Sequence, residues 1–104
     1  MAEVLNIEEL RSRIDVIDDQ LVRLLNVRVA CAVEVGRLKH EAGLPIYQPE
    51  REAQVLTRIR KSAGDLAGPL TAEAVVRIFE RVIDEARRAE RAASERRDSP
   101  TIGE

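Results

Sequence analysis

The sequence predicts an all-α protein with three helices per chain, the first unusually long. Three observations carry that expectation. Only 2% of the 104 residues are aromatic, against 35% charged and 44% hydrophobic. The apolar content is mostly Val, Leu, Ile and Ala, which suits narrow helical stripes better than a sandwich or barrel core. Apolar residues recur at spacings of three and four through three long segments, and the prolines and most glycines fall between those segments.

The first helix is expected from Asn6 to about His40. "NIEE" offers Asn6 as N-cap with Glu9 at the third helical position, a variant of the capping box. Its seam steps through Leu10, Ile14, Ile17, Leu21 and Leu24, then Arg28, Cys31, Val35 and Leu38, with Gly36 the one weak point. The stop is "EAGLP", where Gly43 suits the position after the cap and Pro45 lies just beyond. The second helix opens at "QPERE", with Pro49 in the first turn and Glu50 and Glu52 complementing the positive end of the helix dipole. Val55, Leu56 and Ile59 form its inner face, and it is expected to end before the loop "SAGDLAGP". The third helix starts after Thr71 as N-cap. Its stripe runs Val75, Ile78, Phe79, Val82, Ile83, Ala86 and Glu90, and from Arg91 onward the chain reads as a solvated, fraying end. These boundaries predict one domain over residues 1–97 and a flexible tail over 98–104.

A helix from Asn6 to His40 is roughly 50 Å long at ~1.5 Å per residue. A compact chain of this size has a radius of gyration near ~13 Å, hence a diameter of about 33 Å. The first helix overhangs such a body and exposes its stripe, so an intertwined helical homodimer is predicted.

Composition narrows the function classes. The formal charge of −2 comes from 17 Lys and Arg against 19 Asp and Glu. With no basic arm and no RNA-binding aromatic motif, no nucleic-acid partner is expected. No apolar run approaches ~18 residues, so no membrane span is expected. The opening "MAEVLNIEEL" lacks the basic and apolar regions of a secretory leader, and a cytoplasmic protein is the expectation. Cys31 is the sole cysteine. It allows no internal disulfide or thiolate metal cluster and reads as a small core residue.

Several polar residues sit where apolar ones belong. Arg28 is centred among apolar neighbours, and Arg28, Ala32, Val35 and Lys39 share one stripe. Glu52 lies on the face of Val55, Leu56 and Ile59, with Arg51 at its border, and Glu90 follows Phe79, Ile83 and Ala86 by helical steps. Any one of them alone is equally well explained as a residue flanking a helix start or ending a stripe. A set of cations with two glutamates, projected from three helices into one interior, resembles a pocket for a small polyanion. Arg11 lies 17 residues before Arg28, about 25 Å away along one helix. It can reach the same ligand only from a partner subunit; otherwise it is an exposed arginine on the first turns.

"LRSRIDVIDDQLVRLLNVR", "AVEVGRLK" and "PIYQPERE" together resemble the all-α, AroQ-type chorismate mutases, over about residues 7 to 90. The resemblance implies three helices per chain, an interlocked dimer and two equivalent sites. It implies the unimolecular rearrangement of chorismate to prephenate, on the route to phenylalanine and tyrosine, without nucleophile, metal or cofactor. In that reading Arg11 of the other subunit and Arg28 bind the two carboxylates. Lys39 reaches a carboxylate and the ether oxygen, Arg51 adds positive field, and Glu52 accepts from the substrate hydroxyl. Glu90 faces the ether oxygen opposite Lys39. The chain departs from the family pattern in three places: Gln48 replaces a common aspartate, Ala86 a common serine, and Glu90 the commoner glutamine. His40 is expected to be exposed and not catalytic.

Two other readings share these features. Isochorismate-pyruvate lyases are similar in fold and cationic site, but usually lack a carboxylate at the position of Glu52. A non-catalytic helical dimerisation module would need only the stripe and the long helix. Some short mutases also dock on the first enzyme of the shikimate pathway, a role the polar stretch beyond Arg91 is placed to serve.

Overall fold

The computed structural model describes residues 6–45 and 47–98, and among these it forms three helices and no strand. Helix α1 spans Ile7–Glu41, α2 Pro49–Asp65 and α3 Ala72–Asp98. Both ends of α1 are closed locally. The Asn6 side-chain oxygen accepts from the Glu9 backbone N–H at 2.8 Å, and the Asn6 side-chain amide donates to the Glu9 carboxylate at 3.4 Å. At the other end Gly43 takes φ +71°, the left-handed turn that favours glycine. There the Gly43 N–H donates to the His40 carbonyl and the Leu44 N–H to the Lys39 carbonyl, the paired bonds of a Schellman cap. Pro49 opens α2, and the Thr71 hydroxyl caps α3 by accepting from the Ala74 N–H at 3.1 Å.

Two helix ends differ from expectation. Helix α2 runs through Ser62, Ala63 and Gly64 to Asp65 instead of stopping before them. Ala63 follows Ile59 by four residues and is half-buried, while Lys61 and Asp65 pair at 3.0 Å across the last turn. Those contacts offset the ~1 kcal/mol that one glycine costs a helix. Helix α3 does not fray at Arg91 but continues to Asp98. Its buried face changes from large residues to small ones: Ala93, seven residues beyond Ala86, is 7% exposed. The expected tail over 98–104 lies, from residue 99 onward, outside the described residues.

Helix α3 packs against both α1 and α2. Among the described residues, the buried apolar side chains are Val55, Ile59, Val76, Ala86 and Ala93. Val76 is buried, whereas Ile78, expected on the inner stripe, is exposed. The N-terminal half of α1 has no cover: every residue from Asn6 to Val27 is exposed, including Leu10, Ile14, Ile17, Leu21 and Leu24. The molecule is correspondingly elongated, with extents of 68 × 36 × 16 Å and a radius of gyration of 18.8 Å. No helix among the described residues is long and apolar enough to cross a membrane.

Candidate active site

A cavity of about 300 Å³ lies between the C-terminal half of α1, the start of α2 and the middle of α3. Helix α1 supplies Arg28 and Lys39. Gln48, the N-cap of α2, lines it together with Arg51 and Glu52 from the first turn, and α3 supplies Ala86 and Glu90. Apart from Arg11, every candidate site residue expected from the sequence lines this one space. Arg11 is exposed on the early turns of α1, far along the helix from Arg28. His40 is exposed and does not line the cavity.

Cys31 departs from its expected place in the core. It is an exposed free thiol on the cavity wall, because the seam of α1 to which it belongs is not covered within one chain.

The cavity is more cationic than the sequence reading anticipated. Arg58 and Arg87 line it as well. Both had a signal in the spacing: Arg58 follows Arg51 by seven and Val55 by three, and Ile83, Arg87 and Glu90 step by four and three. Arg28 is steadied by Phe79, with the guanidinium carbon 6.0 Å from the ring centroid. Arg87 donates to Glu52 at 3.0 Å and to Asp84 at 3.2 Å.

Glu90 lies against α1 where Gly36 is buried. A methyl group added at Gly36 would meet the Glu90 side chain at 3.5 Å, an ordinary contact. Burial there pushes the Glu90 carboxyl above the usual glutamate range. Lys39 pulls it back, Glu52 adds to the rise, and Arg87 opposes it. The cavity therefore holds arginines suited to paired carboxylates, a lysine beside an acid biased toward its protonated form, and a second carboxylate held by Arg87.

A family model described as chorismate mutase type II matches residues 10–91. Among curated relatives, the chain is 38% identical over 78 residues to a bifunctional chorismate mutase/prephenate dehydratase of Aquifex aeolicus, covering 74% of this chain and 22% of that protein. It is 46% identical over 66 residues to the T-protein of Enterobacter agglomerans, covering 64% and 18%. The chain thus spans only about a fifth of the length of these relatives. Solved structures that the chain resembles are matched over most of their length. A chorismate mutase from Thermus thermophilus superposes with a TM-score of 0.75 at 30% identity, over 82% of this chain and 93% of the other. One from Helicobacter pylori, in complex with prephenate, gives 0.74 at 29%, over 86% and 93%.

Proposed function

We propose that this chain, which belongs to the chorismate mutase type II family, rearranges chorismate to prephenate. The observation that carries the reading is the convergence of Arg28, Lys39 and Arg51 with Glu52 and Glu90 on one small cavity. The substrate carries two carboxylates, a hydroxyl and the ether oxygen whose bond to carbon breaks. Arg28 and a partner's Arg11 hold the carboxylates and select the chair-like conformer, so that the reacting carbons meet. Negative charge builds on the ether oxygen as the C–O bond opens. Lys39 stabilises it from one side, and protonated Glu90 donates to it from the other. Glu52 accepts from the hydroxyl, Gln48 adds a neutral hydrogen bond beside it, and Arg51 and Arg58 supply positive field.

The proposed assembly is an intertwined homodimer. The uncovered stripe of α1 supports it, because contiguous exposed apolar surface on this scale marks an interaction face. The position of Arg11 supports it too, since a single chain cannot bring that residue to its own cavity.

Purified protein is mixed with chorismate, the loss of chorismate absorbance is followed, and the product is identified. Prephenate formation is the expected result. Unchanged chorismate, or pyruvate and salicylate released faster from isochorismate, would overturn the reading.

A further inference from the structure

Arg87 is the cavity residue with the most elaborate support. It projects from α3 between Ala86 and Glu90, and its Nη2 donates to Oε1 of Glu52 on α2 and to Oδ1 of Asp84 on its own helix. Its guanidinium carbon sits 5.4 Å from the ring centroid of Tyr47, in the connection between α1 and α2. Its Nε is buried and has no hydrogen-bond partner among the described residues. Three separate segments therefore fix one cation, at a depth where the Glu52 side chain is 26% exposed. The bond from Arg87 engages only one oxygen of the Glu52 carboxylate.

A small cavity holding two carboxylates and receiving a dianion faces a problem of assignment. Either glutamate could swing away from the incoming charge. A bridged guanidinium resolves this for Glu52. It compensates the charge and fixes the carboxylate plane, leaving the second oxygen to meet a ligand hydroxyl. Glu90 is left to serve as donor. We propose that Arg87 is a positioning residue, which holds Glu52 as the acceptor for the substrate hydroxyl, with Tyr47 as the shelf beneath it. This rests on the chorismate reading above.

A double-substitution cycle tests it, with kcat/KM measured well below the thermal midpoints of all variants. Arg87→Gln lowers kcat/KM about tenfold in the wild-type background and by less than about twofold in Glu52→Gln, because Arg87 acts through Glu52. Arg87→Lys recovers part of the loss, keeping the charge without the planar fork. Wild-type values in Arg87→Gln would overturn the proposal. An equal loss in both backgrounds would overturn it too, by placing Arg87 on the substrate itself. The chain has one tyrosine and no tryptophan, so tyrosine emission from the ligand-free protein reports the shelf alone. Arg87→Gln shifts that emission, and an unchanged spectrum would count against the stack. A wild-type chain inactive on chorismate would overturn the functional reading and this role with it. That outcome is distinct from failure of Arg87 alone, in which wild type turns over normally and Arg87→Gln matches it.

Discussion

Glu90 is where burial, a lysine and a second glutamate act on one proton. Desolvation against α1 raises its pKa, so the protonated donor persists above the pH at which an exposed glutamate ionises. Turnover should fall as pH rises through that raised value, and Glu90→Gln, whose amide donates at any pH, should give a flat kcat profile. Stability follows the same sign. The folded chain holds this proton more tightly than the unfolded chain, so the contribution is fully present below the ordinary glutamate pKa. It is lost as pH rises through the raised one. Thermal midpoints of Glu90→Gln against wild type across that window check it. Lys39→Ala should lower kcat roughly 10²- to 10³-fold, the scale of removing one preorganised donor to a developing oxyanion, without changing assembly. Steady-state kinetics beside sedimentation would show both. At this scale Arg28, Lys39, Glu52 and Glu90 were legible because a charge on an apolar stripe stands out. Arg87 shared that stripe by spacing, but in "EARRAERAASERR" it is one arginine among several, and only the contact with Glu52 gives it a role.

The helices show which signals are local and which are not. Starts were readable because capping is a matter of a few adjacent atoms: Asn6, Pro49 and Thr71 sit where the sequence placed them. So was the stop at Gly43, since its backbone demands a left-handed residue. The ends of α2 and α3 were not, because tertiary contacts decide them. Ala63 and Ala93 extend the buried faces with side chains too small to register as an apolar stripe, and packing then carries the helix past a glycine or into a charged run. The caps themselves are testable. Asn6→Ala should cost about 1 kcal/mol by loss of the side-chain acceptor. Gly43→Ala should cost about 1–2 kcal/mol by forcing a Cβ into the left-handed region. Chemical denaturation should show lower midpoints at unchanged slope in both variants.

As a single chain the molecule leaves the N-terminal half of α1 uncovered, and the physics of length anticipated that overhang. A helix of 35 residues cannot be enclosed by the remaining fold, and the radius of gyration of 18.8 Å exceeds the ~13 Å of a compact chain of this size. The cavity residues of α1 begin at Arg28, where α3 starts to cover the helix; upstream, every described residue is exposed. The same helix thus has one half that lines the cavity and one half whose apolar stripe is bare, for which a second chain is the proposed cover. If the partner's Arg11 completes the site, each active centre combines Arg28 of one chain with Arg11 of the other. Arg11→Ala and Arg28→Ala homodimers should then both be nearly inactive, since every site lacks one carboxylate clamp. Mixing the two chains and letting them exchange forms heterodimers in which one site regains both arginines and the other loses both. Random pairing of equal amounts should restore about a quarter of wild-type activity. A mixture no more active than its components would place Arg11 outside the site, and the overhang of α1 would then need a different explanation.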